Sequence, residues 1–260
     1  SCSSMSCGLI SANRISPRPL PSTTGAKGAT AQPVADSQIR ILLTRTLSAL
    51  VMIPPVLAAI WYGSPYFEIL VAVAIVIMAW EWLGMTSGAA NRLGWLAFGG
   101  VYIVAPSLAL IWLRTGEDPG MGRDTVVWLF VLVWAADIGA YAAGRTIGGP
   151  KLAPAISPNK TWAGLFGCIA ASAAAGVATA DYFGHTDLYG VAMISGFVGM
   201  LSQAGDLFES SVKRRFDRKD SSHLIPGHGG LLDRVDGLLA AAFAVALIGY
   251  ANEGNMALWP

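Results

Sequence analysis

Apolar stretches of about twenty residues recur along this 260-residue chain and leave it few folds to adopt. A helix needs roughly 20 such residues to cross the ~30 Å hydrocarbon core of a bilayer. Windows of that kind fall at 41–62, 66–85, 94–113, 125–144, 162–183, 188–206 and 237–251. The first carries Arg45 and Pro54-Pro55, and the last is short, so the count is about seven, with eight or nine within reach. A hydrophobic content of 54% excludes an ordinary soluble domain. Lipid cannot satisfy open backbone groups, and the strand-like alternation of a barrel is absent, so the spans must be helical. The expected fold class is all-α: a polytopic integral membrane helical bundle.

The distribution of cations gives an orientation, because Lys and Arg concentrate in cytoplasmic loops. With the N-terminus inside, the inner set holds Arg14, Arg18, Lys27, Arg40, Arg45, Arg92, Arg145, Lys151, Lys160, Lys213, Arg214, Arg215, Arg218, Lys219 and Arg234. The outer set holds only Arg114 and Arg123. A wrong topology would hardly produce that split. It puts segments 145–161 and 207–236 on one side, the cytoplasmic side of the cell's inner membrane.

Residues 1–37 are rich in Ser, Pro, Thr and Gly, lack any acid before Asp36, and read as a disordered tail ahead of a 38–260 membrane domain. The tail holds no apolar core of the secretory kind, though its Ser/Arg-rich character faintly resembles an organelle transit peptide. Cys2, Cys7 and Cys168 have neither metal-ligand spacing nor a disulfide framework, and Cys168 is expected to pack inside a helix. No nucleic-acid partner is expected. A homodimer is compatible with such a bundle, but the sequence does not fix the oligomeric state.

Against this apolar background, Ser210 to Asp236 reads SSVKRRFDRKDSSHLIPGHGGLLDRVD. Lys213, Arg214, Arg215, Arg218, Lys219 and Arg234 mix there with Asp217, Asp220, Asp233 and Asp236 around a Gly-rich turn. That mixture suits a metal-assisted phosphate site: cations hold phosphate oxygens, glycine lets backbone N–H groups approach, and carboxylates carry a divalent ion. Just upstream, Asp206 and Glu209 share a helix face at i and i+3, as do Asp233 and Asp236. An acid following a long apolar run is costly without a partner. Two acid pairs meeting across the loop would supply hard oxygen ligands for Mg²⁺. The plainer readings are an interfacial cap for the first pair, with Glu209 facing Lys213, and a solvated helix start for the second. A second segment, DIGAYAAGRTIGGPKLAPAISPNKTWAG over 137–164, sets Asp137 and Tyr141 one turn apart. Ser157-Pro158 before Lys160-Thr161 is expected to open a helix whose free N–H groups attract phosphate; the rival reading of Lys160 is snorkelling.

The 210–236 segment resembles the pattern of the phosphatidate cytidylyltransferases (CDP-diacylglycerol synthases). Ser210, Lys213-Arg214, Lys219-Asp220, Pro226, His228-Gly229-Gly230, Asp233-Arg234 and Asp236 all stand at the pattern's positions. The other loop is similar too, through Asp137, Tyr141, Gly144, Arg145, Ser157, Pro158, Lys160, Thr161 and Trp162. Asn159, Ala163, Ser222 and Gly237 depart from the family's commoner Lys, Glu, Gly and Ser, and Ala163 removes any role for a carboxylate there.

The resemblance implies transfer of the cytidylyl group of CTP to phosphatidate, giving CDP-diacylglycerol and pyrophosphate in phospholipid biosynthesis. It also implies Asp206 and Asp233 as ligands of Mg²⁺, with Glu209 and Asp236 supporting them; the carboxylate number leaves room for a second cation of unknown identity. Asp206, Asp233, Lys160 and Lys219 are the expected catalytic residues. Lys213, Arg214, Arg234, His228, Gly229, Gly230, Asp137, Tyr141, Ser157 and Thr161 are expected at the substrates, and Arg215 and Arg218 at topology and anionic lipid. His228, set between Pro-Gly and Gly-Gly, reads equally as a proton carrier or as a loop-fixing donor. The competing functions are a nucleotide-dependent polyprenol or lipid kinase and an ion or lipid transporter. The first would prefer ATP, and the second would place its acids near mid-membrane.

Overall fold

The computed structural model describes residues 46, 48, 50–116, 119–227 and 229–251. The 1–37 tail with Cys2 and Cys7, and also His228, lie outside them. Seven helices follow one another: α1 Leu50–Tyr62, α2 Tyr66–Met85, α3 Arg92–Arg114, α4 Pro119–Thr146, α5 Trp162–Tyr182, α6 Leu188–Arg215 and α7 Leu232–Ala251. A two-stranded antiparallel hairpin, β1 Lys151–Ala153 with β2 Ser157–Thr161, joins α4 to α5. Six of these helices, α2 to α7, are long and apolar enough to cross a membrane. The chain is thus a multi-pass helical membrane protein. Within the expected 41–62 span, the described helix is the shorter α1.

Three expectations need correction. Hydropathy ends the sixth span at 206, but α6 continues through Lys213, Arg214 and Arg215. At about 1.5 Å per residue its 28 residues run ~42 Å, longer than the hydrocarbon core is thick. Similarly, α7 starts at Leu232 rather than 237, so Asp233 and Asp236 sit inside its opening turns. The segment Ser157–Thr161 is a strand rather than a helix opening, with Thr161 capping α5 through the Gly164 N–H at 3.0 Å.

Small residues set the packing. A Cβ on Gly139 of α4 would meet Ala171 and the Gly167 carbonyl of α5, and one on Gly167 would meet Ala143 and the Gly139 carbonyl. Between α5 and α6, Gly176 lies against Ser195 and Gly199 against Ser172. Between α6 and α7, a Cβ on Gly205 would fall 2.9 Å from the Asp236 carbonyl. In lipid there is little hydrophobic gain from helix association, so close backbone approach carries it. Cys168 packs in α5 as expected, fully buried, its thiol on the Gly199 carbonyl. Phe67, Leu113, Trp128, Leu132, Val198 and Val245 join α2, α3, α4, α6 and α7 in one apolar core. Outward, Ile69, Val73, Val76, Leu93 and Val101 present apolar side chains to the surroundings, the lipid-facing surface of a membrane bundle.

α4 to α7 pack in sequence order, so their directions alternate. The end of α4, the start of α5, the end of α6 and the start of α7 share one end of the bundle. Trp95 at the start of α3 reaches it, packing on Phe216 with ring centroids 5.0 Å apart.

Gly167→Ala should therefore lower stability by about 1–3 kcal/mol through overpacking, while Gly100→Ala, whose Cβ meets nothing within 4 Å, should cost none. Thermal melting of the two detergent-purified variants separates them; equal melting temperatures would contradict the close α4–α5 crossing.

Candidate active site

The site lies where those four helix ends meet. Lys160 of β2 extends its ammonium to Asp206 of α6 at 2.6 Å and to the Gln203 side-chain oxygen at 2.9 Å. Gln203 passes the contact on: its amide N–H donates to Asp137 of α4 at 3.2 Å. Three segments far apart in sequence are thereby tied into one polar chain, Asp137–Gln203–Lys160–Asp206.

A second chain joins α6 to α7. The Lys213 ammonium lies 2.7 Å from Asp233 and 3.2 Å from Glu209. Asp233 is held further by the Ser221 N–H at 2.9 Å, the Ser221 hydroxyl at 3.0 Å and the Gly230 N–H at 2.8 Å. Gly229 adopts φ +84°, a conformation side chains resist. A Cβ there would also crowd Asp233 Oδ2 at 2.8 Å. Glu209 is 0% exposed, faces Asp236, and its Oε1 has no hydrogen-bond partner among the described residues. Two carboxylates set against each other favour a shared cation or proton.

Three cavities meet around these groups. The polar one, of about 280 Å³, is lined by Asp137, Asp206, Lys213, Asp220, Asp233, Arg234, Asp236 and Gly237. Its carboxylates outnumber its cations even when Lys160 is added. An apolar cavity of about 230 Å³ runs between Met52, Ile53 and Val56 of α1, Phe130, Val133 and Trp134 of α4, and Val235 and Leu238 of α7, ending at Asp137 and Arg234. A third lies under the loop, lined by Lys219, Asp220, His223, Pro226, Gly227 and Arg234 among others. Arg234 lines all three, and its guanidinium forms no ion pair among the described residues.

Of the residues read from sequence, Asp137, Lys160, Asp206, Glu209, Lys213, Asp233 and Asp236 are brought together, with Arg234 and Gly230 beside them. Lys219 is exposed at the loop cavity. Arg214 points elsewhere, donating to the Ile156 and Arg218 carbonyls. Tyr141 is 66% exposed and accepts from Arg145 at 3.1 Å. Thr161, expected at the substrates, is 4% exposed with its hydroxyl on the α5 cap. Ser157 opens β2 and joins none of these contacts. The Lys213 ammonium, expected on phosphate, is engaged by two carboxylates. Removing one partner of a buried pair costs about 3–5 kcal/mol, so a Lys213 variant would report on folding before it reported on chemistry.

Sequence reasoning missed three residues. Gln203 and Ser221 are neutral and carry no charge pattern. Glu81 lies inside the apolar second span, which reads as plain membrane helix, although an acid at that position is itself the signal. Its carboxylate, 1% exposed, accepts from the Ser221 and Ser222 hydroxyls and from the Leu231 and Leu232 N–H groups. With Met52, Ile53 and Val56 on the apolar cavity, the N-terminal half also contributes to the site.

The family model described as the cytidylyltransferase family matches residues 87–251. The phosphatidate cytidylyltransferase of Brucella suis biovar 1 is 50% identical over 156 residues, which is 60% of this chain and 57% of the Brucella protein. The chain thus spans little more than half the length of that relative. The phosphatidate cytidylyltransferase of Rickettsia bellii is 35% identical over 80% of this chain and 90% of its own length, and that of Rickettsia conorii 34% identical over 83% and 94%. A family match over most of the chain, with relatives this similar along most of their own length, shows that the chain belongs to the cytidylyltransferase family.

Proposed function

We propose that this protein transfers the cytidylyl group of CTP to phosphatidate, releasing pyrophosphate and leaving CDP-diacylglycerol in the bilayer. The observation that carries the reading is Arg234, common to an apolar cavity, a carboxylate-lined cavity and a loop cavity bearing Lys219. A lipid phosphate needs that juxtaposition: acyl chains among Met52, Val56, Phe130 and Leu238, headgroup at Arg234, nucleotide phosphates toward Lys219 and the loop.

In the reaction, a phosphatidate oxygen attacks the α-phosphorus of CTP, the bond to the β-phosphate oxygen breaks, and pyrophosphate departs in line. A phosphomonoester largely ionised near neutral pH needs no strong base, which fits a site with no Ser/His/Asp or Cys/His set among the described residues. Rate then depends on positioning and charge neutralisation. Arg234 supplies a cation on the lining of the carboxylate cavity, and Lys160 supplies one through its contact with Asp206. Gln203 orients Lys160 by holding its ammonium from one side while Asp206 holds the other.

Mg²⁺ would be held by Asp206 and Asp233, hard oxygen donors that line one cavity with Asp236; among the described residues no three acids stand together as a ligand set, so the ion would displace Lys160 and Lys213 from these carboxylates. Glu209 Oε1, buried without a donor among the described residues, faces Asp236, a pair that a cation or a shared proton would relieve. Such an ion would shield the triphosphate and stabilise the leaving pyrophosphate. From α2 to α7, ten Lys and Arg lie at this end of the bundle and two, Arg114 and Arg123, at the other, which supports placing this end in the cytoplasm, where CTP is available.

Purified protein given CTP, phosphatidate and Mg²⁺ should release pyrophosphate, and replacing CTP by ATP should abolish release. Formation of ADP from ATP, with no pyrophosphate from CTP, would transfer the reading to a lipid kinase. Lys160→Ala should reduce turnover on the order of a hundredfold, with Lys160→Arg restoring part, because a planar fork replaces a point charge. Asp206→Asn and Asp233→Asn should each abolish activity, and the double variant should be no worse than either, as expected of residues acting as a unit. For orientation, single cysteines at Ala155 and His223 in a background lacking Cys2 and Cys7 should label only from the cytoplasm, and one at Thr186 only from outside. Labelling at position 223 from outside would contradict the cytoplasmic site.

A further inference from the structure

We infer that Glu81 of α2 is a positioning residue for the reaction: it clamps the 221–232 segment so that Asp233 is presented to the carboxylate cavity. Glu81 lies before residue 87, where the family match begins, and 150 positions from Leu231, yet its carboxylate collects donors from both ends of the loop. Oε1 accepts from the Ser222 hydroxyl at 2.6 Å and the Leu231 N–H at 2.8 Å. Oε2 accepts from the Leu232 N–H at 2.8 Å and the Ser221 hydroxyl at 3.2 Å.

The Leu231 and Leu232 amides are among the unsatisfied donors at the start of α7, so Glu81 fixes where that helix begins. Asp233 is the next residue. Ser221 completes the link, because the hydroxyl 3.2 Å from Glu81 lies 3.0 Å from Asp233 Oδ2, and its N–H donates to the same carboxylate. Gly230 is packed into the clamp: a Cβ there would lie 2.6 Å from Glu81 Oε1.

Stability alone does not call for an acid here. Burying a carboxylate is costly even when it is hydrogen-bonded, and an apolar side chain of similar volume would serve packing as well or better. What an apolar residue cannot do is hold four donors from two sides. Ser222 provides the shortest of the four contacts.

This inference rests on Asp233 acting in the proposed reaction, so its test includes a readout independent of activity. Glu81→Gln keeps the volume but turns one oxygen into a donor facing donors. Hydrogen–deuterium exchange at the 221–232 amides should rise in this variant while exchange within α4 and α5 stays as in the wild type. The kcat for pyrophosphate release should fall about 10- to 100-fold, the usual range for an outer partner of a site carboxylate, with KM for CTP changed by less than about threefold. Glu81→Asp should recover part of kcat. Ser221→Ala should add little to Glu81→Gln, since both act through one contact chain. Should Glu81→Gln not be extracted as folded protein, Ser222→Ala removes a single donor and should show the same split on a smaller scale.

Unchanged exchange with unchanged kcat would overturn the inference, as would faster exchange with normal kcat, or a loss of kcat without any change in exchange. If the wild type releases no pyrophosphate from CTP, the proposed function fails, while faster exchange in Glu81→Gln would still establish the clamp.

Discussion

Compensation of buried carboxylates is the constraint on which the rest of this structure depends. Glu209, Asp233 and Glu81 are removed from water almost completely, and an ionised carboxylate in such a place needs charge-assisted hydrogen bonds or a cation. Lys213 serves two of them, backbone N–H groups and serine hydroxyls serve Asp233 and Glu81, and Lys160 serves Asp206. Most of these contacts cross between elements. The same interactions that make the acids tolerable therefore bring the ends of α2, α4, α6 and α7 and the β-hairpin to one place.

Glycine contacts allow that convergence. Because α4, α5 and α6 pack closely at Gly139, Gly167, Gly176 and Gly199, their ends lie close enough for Gln203 to reach Asp137 and for Lys160 to reach Asp206. Gly237 illustrates the same coupling nearer the chemistry. A Cβ there would lie 2.5 Å from the Ser202 hydroxyl, so the glycine leaves room for the serine on the facing helix.

Much of this was legible in the sequence, because hydropathy reports directly on the lipid. The second span, 66–85, coincides with α2, and the fifth differs from α5 by one residue. Boundaries failed where helices carry charge. Neither the cation run Lys213-Arg214-Arg215 nor an acid such as Asp233 scores as apolar, yet α6 and α7 include them because intramolecular partners replace water. The charged loop and its acids were readable from their spacing, since one-turn separations put carboxylates on a shared face. Glu81, Gln203 and Ser221 were not, for their roles exist only once segments 43 to 151 residues apart are in contact. Thr161 shows the reverse case: its position in a phosphate-like motif was visible, but its hydroxyl is taken by the α5 cap.

The central proposal is that the carboxylate-lined cavity between α6 and α7 would hold a divalent cation beside the reacting phosphates. Anomalous scattering from crystals soaked in Mn²⁺ tests it most directly. The account predicts a peak ~2.0–2.6 Å from side-chain oxygens of both Asp206 and Asp233, the range for hard divalent ions. A peak elsewhere, or none in crystals that turn over CTP, would contradict it.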